Sequence, residues 1–336
     1  MKLPELDVGY GELYKTIFTP VRCKLMLTGI ELKVFNYLSE PVSAEEVAQT
    51  LDAHIGNMAV FLDGLTSVDL VRKEDGLYQN MPIAESFLVE GSQTYVGHMF
   101  TWMAAFDAPL DDMAKLVKEG PPPKQEAPPF SEEMLTRGVS MMVNTELAGD
   151  AQLAVKIVSN LPEFPSFKKM LDLGCGPGLI GMSIVDAHPD MKGVVFDLPP
   201  VVAVAEKYIK EFQMEGRVET LGGDFNQSPV GGGYDLVYTS NALQFAQDID
   251  TVVKKVYDAL NLGGVFVSVF GFGLTNEGTK PENLVLGSLS TALMGQGFGV
   301  EVGYIADSML RVGFKSVRSR TLSTAWGPME LDMGRK

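Results

Sequence analysis

The feature that most constrains this chain is a glycine-rich turn that follows a short apolar strand and opens a helix. It reads Leu171-Asp172-Leu173-Gly174-Cys175-Gly176-Pro177-Gly178. Glycines at such a junction let the backbone turn sharply and let a ligand approach it closely. The turn therefore predicts a ligand site where a strand of a parallel sheet passes into a helix.

Strands alternate with helices after Lys169, which is typical of a parallel sheet with helices on both faces. The last two predicted strands form a terminal hairpin through a turn at 326–328. The predicted strands are short runs rich in apolar residues: 170–173, 194–197, 218–221, 236–238, 264–269, 316–322 and 329–333. A long helix or helix pair over 132–160 is expected to lead into this α/β domain.

Acidic residues follow the next two predicted strands. Asp197 comes about 20 residues after the glycines, where a carboxylate can accept hydrogen bonds from both hydroxyls of a ribose. In Gly222-Gly223-Asp224-Phe225, Asp224 can accept a hydrogen bond from an adenine amino group while Phe225 packs on the ring. Three neighbouring strand ends thus predict a nucleoside site at the carboxyl edge of the sheet.

The spacing of the glycines separates two classes of nucleoside cofactor. A dinucleotide site requires a glycine at the position of Leu179, whereas the third glycine here is Gly178. The pattern Asp-x-Gly-x-Gly-x-Gly is that of methyltransferases that use S-adenosyl-L-methionine (SAM). We therefore predict SAM as the cofactor and S-adenosyl-L-homocysteine (SAH) as its product, with no metal.

The first hundred residues predict a smaller, winged-helix unit. Ser43 and Glu46 form a capping box, Asn57 is placed to cap the next helix, and Asp75-Gly76 predicts a hairpin turn. The third helix, 57–67, holds no Lys or Arg, so a role in packing and dimerisation is favoured over DNA recognition. The first helices are expected to expose apolar side chains that a partner would cover. These are expected to include Leu25, Met26 and Leu27.

Composition excludes several classes of protein. A net charge of −16 argues against binding to nucleic acid or to an anionic membrane. Cys23 and Cys175 are the only cysteines, which excludes a disulfide framework and favours the cytoplasm. The sequence shows no signal peptide and no apolar run of the ~18 residues that span a membrane. The 336 residues suffice for about two domains, with the linker at the proline-rich segment 120–129.

Taken together, the chain resembles the SAM-dependent methyltransferases of the caffeate and hydroxyindole O-methyltransferase-like family over nearly its whole length. Residues 196–199 resemble the family's ribose motif, and residues 223–225 resemble its adenine motif. The resemblance implies a winged-helix dimerisation domain at 1–120, a Rossmann-like seven-stranded α/β domain at 121–336, a homodimer and a small-molecule substrate. It also implies a set of cofactor-binding residues: Gly174, Cys175, Gly176, Asp197, Leu198, Gly223, Asp224, Phe225 and Ser240.

The groups that this family uses to deprotonate its substrate are missing. The stretch that resembles the catalytic histidine segment reads Asn241-Ala242-Leu243-Gln244-Phe245, so Gln244 stands at the position of the base. Phe270 and Gly299 stand where two acids would orient that histidine, and Ser240 replaces a lysine. His98, on a Met-rich helix that resembles the substrate-pocket wall, is the other candidate catalytic residue. The implied substrate residues are Met99, Met103, Met141, Asn241 and Phe245.

Three functions stay open at this stage. The first is methyl transfer to oxygen, sulfur or carbon of a flat, apolar, aromatic small molecule. At pH 7, ionising a phenol costs ~4 kcal/mol and ionising a thiol costs ~2 kcal/mol, so an acidic or soft nucleophile needs little help from a base. The second is SAM-dependent chemistry without methyl transfer, such as decarboxylation or ring formation. The third is a regulator that uses the winged helix, which the acidic charge disfavours.

Overall fold

The computed structural model describes residues 9–106, 113–123, 131–271, 282–294, 301–325 and 327–336. The chain divides into two compact units, Met1–Ala104 and Ala105–Lys336. This division falls within the helix Gly97–Phe106, and the boundary after residue 120 that the proline-rich segment indicates stays a prediction. Residues 124–130 of that segment, residue Gly299 and the turn residue Trp326 lie outside the described residues.

The first unit combines short helices with a small antiparallel sheet. Its helices are α1 (Gly11–Thr16), α2 (Thr19–Glu31), α3 (Ala44–Thr50), α4 (Ile55–Ser67), α5 (Pro82–Phe87) and α6 (Gly97–Phe106). Its strands are β1 (Val42–Ser43), β2 (Val71–Glu74) and β3 (Leu77–Asn80), in the spatial order β1-β3-β2. The predicted wing is present as the β2–β3 hairpin, and a buried cluster that includes Phe35, Leu62 and Leu65 forms the core of this unit.

Two helix starts in this unit test the predicted caps. The capping box is confirmed, because Ser43 Oγ accepts from the Glu46 N–H at 3.2 Å and Glu46 Oε2 accepts from the Ser43 N–H at 3.1 Å. The prediction that Asn57 caps the next helix is wrong. His54 has the extended backbone that precedes the helix, and its Nδ1 accepts from the Asn57 N–H at 3.2 Å. Asn57 lies within the first turn and donates that bond instead.

The apolar surface of the first helices also differs from the expectation. Leu25, Met26 and Leu27 are half-buried, and the first two pack against the core of this unit. The exposed apolar side chains lie earlier, on α1 and the start of α2, and they include Tyr10, Leu13, Tyr14, Ile17 and Val21. The periodicity of a helix marks an apolar face, but the direction in which that face points is set by the elements packed around it.

The second unit is built on a seven-stranded sheet. Its strands are β4 (Lys169–Leu173), β5 (Lys192–Asp197), β6 (Val218–Gly222), β7 (Tyr234–Ser240), β8 (Leu260–Phe270), β9 (Lys315–Thr324) and β10 (Gly327–Arg335). They lie in the order β6-β5-β4-β7-β8-β10-β9, and β10 runs antiparallel to both of its neighbours. All seven predicted strands are confirmed, and each lies inside an observed strand.

Helices cover both faces of this sheet. They are α7 (Met113–Glu119), α8 (Glu132–Thr145), α9 (Ala151–Ser159), α10 (Leu179–Asp186), α11 (Pro199–Glu211), α12 (Ile249–Ala259), α13 (Glu282–Leu293) and α14 (Tyr304–Val312). Successive residues of β4 alternate between the two cores: Met170 packs with α9 and α10, and Leu171 packs with α12 and α14. Among the described helices, none is both long and apolar enough to cross a membrane.

The long helix or helix pair predicted over 132–160 is a pair, because the chain leaves the α-helical path between α8 and α9. Residues Glu146–Asp150 form a wider, π-helical turn, and Gly149 within it has φ +158° and ψ −28°. This conformation favours glycine, because residues with a side chain rarely adopt it. The turn leaves Glu146 only 4% exposed, an unusual position for a carboxyl group.

Candidate active site

The glycine loop between β4 and α10 depends on its glycines. Gly174, Gly176 and Gly178 have φ of +75°, +54° and +83°. A Cβ added at Gly174 would lie 2.2 Å from the Cβ of Ala242, which belongs to the loop after β7. The N–H groups of Gly174 and Cys175 both donate to the Phe196 carbonyl, at 2.8 and 3.0 Å. The loop is therefore held in a conformation that no other residue type at 174 could share.

Asp197, at the end of β5, is bonded to this loop. Its Oδ2 accepts from the Gly176 N–H at 2.9 Å and its Oδ1 accepts from the Leu198 N–H at 2.7 Å. Burial raises the pKa of Asp197, while these two hydrogen bonds lower it. Each carboxylate oxygen keeps a further lone pair for another donor, so the side chain can still accept hydrogen bonds from the two hydroxyls of a ribose.

The third strand end lies beside the second. Gly223 donates its N–H to the carbonyl of Asp197 at 2.9 Å. Oδ1 of Asp224 accepts from both the backbone N–H and the side-chain Nδ2 of Asn226, at 2.9 Å each. Phe225 is buried in the core beneath α12. The structure thus brings the three predicted strand ends together, and the contacts of Asp224 and Phe225 with an adenine stay predictions.

Two further carboxyl groups lie buried near the start of α10. Asp172 Oδ2 accepts from the Gly181 N–H at 2.9 Å, and Glu146 Oε2 accepts from the Ile180 N–H at 3.3 Å. Burial raises the pKa of Asp172 to about 7, with a smaller contribution from the charge of Asp197. Burial and the charge of Asp172 raise the pKa of Glu146 well above its usual value.

Within the described part of the chain, no Lys, Arg or His forms an ion pair with Glu146, Asp172 or Asp197. Buried carboxylates need a positive partner, because removing an unpaired charge from water is costly. A ligand that carries positive charge would supply that partner. SAM carries an ammonium and a sulfonium group, so the donor and acceptor set around the loop fits this cofactor. Asp172 was part of the predicted motif, but no local signal in the sequence marks Glu146.

The segment at the predicted base position is ordered by hydrogen bonds. Asn241 has φ +51°, and its Oδ1 accepts from the Gly271 N–H at 2.8 Å. Nε2 of Gln244 donates to the carbonyl of Asn241 at 2.9 Å. This bond leaves Oε1 of Gln244 as an acceptor without a partner among the described residues. Ser240, the last residue of β7, is half-buried, and Phe245 is 58% exposed.

The remaining candidate residues lie in different places. His98, Met99 and Met103 are on α6, where His98 is exposed and its ring meets Tyr95 edge-on at 5.1 Å. Met141 is half-buried on α8. The roles of all four as site residues stay predictions.

Two further side chains, Phe270 and His188, bear on the question of which residue could act as a base, and both are buried. Phe270, at the predicted position of an orienting acid, ends β8 and is 3% exposed. The ring of His188 has a structural use, since its Nδ1 accepts from the N–H groups of Asp190 and Met191 at 3.1 Å. Neither side chain can replace the missing histidine base.

Comparisons with known proteins agree with this geometry. The sequence profile of the O-methyltransferase domain matches residues 124–307, and that of the O-methyltransferase dimerisation domain matches residues 14–90. The N,N-dimethyltransferase OxyT of Streptomyces rimosus is 27% identical over 285 residues, which is 81% of each chain. The 3-hydroxy-5-methyl-1-naphthoate 3-O-methyltransferase of Streptomyces sahachiroi is 26% identical over 247 residues, which is 72% of each chain.

Solved structures share the fold. Human N-acetylserotonin methyltransferase in complex with SAM superimposes with a TM-score of 0.78 at 20% identity, covering 100% of this chain and 99% of that chain. PigF with SAH gives a TM-score of 0.76 at 21% identity, covering 98% of this chain and 100% of that chain. The sheet order, the glycine loop and the two profile matches lead to one conclusion: the chain belongs to the O-methyltransferase family and is a SAM-dependent enzyme of that class.

Proposed function

We propose that this enzyme transfers the methyl group of SAM to a nucleophilic atom of a flat, apolar, aromatic small molecule, without a titratable side chain at the base position. One observation carries the proposal: the glycine loop has all three of its glycines, whereas a glutamine, Gln244, stands at the predicted position of the base. Relatives support an acceptor of this kind, since one is named for methylating a hydroxyl of a naphthoate. OxyT is named as an N,N-dimethyltransferase, so nitrogen is also an acceptor atom among the relatives.

The cofactor supplies an electrophilic methyl group on a positively charged sulfur. In the proposal, the backbone at Gly174 and Gly176 lets it approach, Asp197 accepts from its ribose hydroxyls and Asp224 accepts from its adenine amino group. Methyl transfer then depends chiefly on the alignment of the nucleophile with the methyl–sulfur bond. The residues of this chain therefore position the cofactor and the acceptor and exclude water.

Gln244 is proposed to orient the acceptor and not to deprotonate it. One N–H of its Nε2 donates to the Asn241 carbonyl, so the oxygen Oε1 and the second N–H of Nε2 are available to a substrate. An amide oxygen can accept a hydrogen bond from an O–H, N–H or S–H group but does not take up a proton near neutral pH. The acceptor would therefore ionise by itself, lose its proton to water or to another group such as His98, or react as a neutral nucleophile.

We also propose that the enzyme is a homodimer formed through its first unit. The dimerisation profile at residues 14–90 supports this, as do the exposed apolar side chains on α1 and α2. Leu13 is 75% exposed and Ile17 is 68% exposed, which is a large apolar area to leave in water.

The experiment that tests the proposed reaction uses methyl-labelled SAM and a panel of aromatic acceptors that carry hydroxyl, thiol, amino or activated carbon groups. We expect transfer of label to at least one class of acceptor. Binding of SAM without label transfer to any acceptor, together with loss of CO2 from an aromatic acid while SAM stays unchanged, would support the decarboxylase alternative.

Gln244→Ala should lower the turnover of that acceptor about tenfold, because one hydrogen bond is worth ~1.4 kcal/mol. SAM affinity should be unchanged, and the pH–rate profiles of the variant and the native enzyme should have the same shape. Gln247→Ala, an exposed glutamine shortly after the same segment, is the matched control and should retain full activity. A loss of several orders of magnitude in Gln244→Ala, with SAM still bound, would contradict a purely orienting role.

A further inference from the structure

The interruption between α8 and α9 places a carboxyl group against the glycine loop. The wide turn Glu146–Asp150 with Gly149 at φ +158° is a local departure from α-helix, and such turns are frequent at functional sites. The turn belongs to the second unit, and it packs on α10.

The two oxygens of Glu146 have different surroundings. Oε2 accepts from the Ile180 N–H at 3.3 Å, in the first turn of α10. Oε1 faces the loop, since a Cβ added at Gly176 would lie 3.6 Å from it. The Cε of Met142 would lie at the same distance from that Cβ, and Met142 is 45% exposed. This side of Gly176 is thus flanked by a carboxylate oxygen and by a side chain that reaches solvent.

We infer that Glu146 is a cofactor-binding residue whose Oε1 accepts a hydrogen bond from the ammonium group of the amino-acid half of SAM. The inference rests on the proposed binding of SAM at the glycine loop. Glu146 is 4% exposed and has no ion-pair partner within the described ranges, so a cation bound by Gly176 would neutralise it. The ammonium group is chosen over the sulfonium group because only the ammonium carries N–H donors.

Asp172 is less suited to this contact. Its Oδ2 and Cβ lie 2.8 and 2.9 Å from the position that a Cβ of Gly181 would take, so its side chain is pressed against α10. Its Oδ2 accepts the Gly181 N–H. The raised pKa of Glu146 agrees with a carboxyl group that lacks its positive partner.

A purely structural role makes a different prediction. In that case Glu146 serves only to accept N–H groups at the start of α10, where Gly178 provides no side chain as a cap. Glu146→Gln separates the two roles, since an amide oxygen can still accept the Ile180 N–H but the negative charge is lost. Glu132→Gln, an exposed carboxyl group on α8, is the matched control.

The experiment measures the binding of three ligands to each full-length variant by calorimetry. SAM carries both the ammonium and the sulfonium group, SAH carries the ammonium group alone, and 5′-methylthioadenosine carries neither. We expect Glu146→Gln to weaken the binding of SAM and the binding of SAH by the same factor, about 10- to 100-fold. The affinity for 5′-methylthioadenosine should be unchanged, and the ligand-free variant should melt no lower than the native protein, because the amide carries no buried charge. Glu132→Gln should bind all three ligands like the native enzyme.

The other outcomes overturn the inference. Equal weakening of all three ligands would show that the variant disturbs the loop itself, and unchanged binding of all three would leave Glu146 with the structural role alone. Weakening of SAM without SAH would assign the contact to the sulfonium group instead. Failure of the native enzyme to bind SAM would refute the proposed function. This outcome is distinguishable from a failure of the inference about Glu146, because it is observed with the native enzyme and not with a variant.

Discussion

Among single residues, Asp172 links the cofactor loop to the stability of the protein. It is 2% exposed and burial raises its pKa to about 7. A carboxyl group whose pKa is higher in the folded than in the unfolded chain gives the folded state more bound protons at pH values between ~4 and 7. The stability of the ligand-free protein should therefore fall as the pH rises through this window.

Asp172→Asn should remove that part of the pH dependence, because the amide cannot ionise while its oxygen can still accept the Gly181 N–H. The measurement is the melting temperature of the ligand-free protein between pH 4 and 8. Asp307→Asn, an exposed carboxyl group on α14, serves as the control and should keep the native slope. An identical slope in Asp172→Asn would show that Asp172 does not titrate in this range.

Gln244 shows how one substitution changes the chemistry that a site can perform. In the resembled family a histidine at this position removes a proton, whereas the amide of Gln244 is anchored through Nε2 to the Asn241 carbonyl. The segment before it is held in place, since Oδ1 of Asn241 accepts from the Gly271 N–H. In the proposed function this position aligns an acceptor, and the substrate ionises without help from residue 244.

At the scale of elements, the glycine loop can be tested by a matched pair of substitutions. Gly174 and Gly233 have nearly equal φ, +75° and +74°, so an alanine at either position would need a positive φ, which residues with a side chain rarely adopt. An added Cβ at Gly174 would lie 2.2 Å from Ala242, whereas one at Gly233 would meet no atom within 4 Å. A larger effect in Gly174→Ala is therefore expected from the packing of the loop against the segment after β7.

Gly233→Ala should lower the free energy of unfolding by about 1–2 kcal/mol, the cost of a left-handed conformation. Gly174→Ala should lower the free energy of unfolding by clearly more than that. It should also bind SAM more weakly, since the loop or the Ala242 segment must shift. Urea unfolding and calorimetry measure the two effects. Equal stability losses with unchanged SAM binding in both variants would contradict the close contact at Ala242.

For the whole molecule, the exposed apolar face of α1 and α2 predicts the oligomeric state. Light scattering at micromolar concentration should give twice the mass of a single chain. Ile17→Asp should shift the protein to the single-chain mass, because a charge in an apolar interface is left without solvent. Val117→Asp, at an equally exposed position on α7 (68%), is the control and should stay dimeric. A single-chain mass for the native protein would refute the homodimer.

Local patterns in the sequence determined most of the architecture. The seven strands, the capping box at Ser43 and the glycine loop were predictable because alternation, cap chemistry and glycine spacing act between near neighbours in the chain. The family and its cofactor followed from the order of Gly174, Asp197 and Asp224 along three successive strand ends. The prediction that Gln244 stands in place of a histidine base also came from the sequence, since a departure from a motif needs no tertiary information.

Contacts between distant parts of the chain were decided only by the tertiary structure. His54 caps α4 in place of Asn57 because the true start of a helix depends on how the preceding loop packs. Leu25 and Met26 turned inward because their neighbours cover them. Glu146 joined the glycine loop from a preceding helix, through a wide turn that no periodicity reveals. Burial then changed the ionisation of Glu146 and Asp172, because desolvation depends on all the surrounding atoms and not on the adjacent residues.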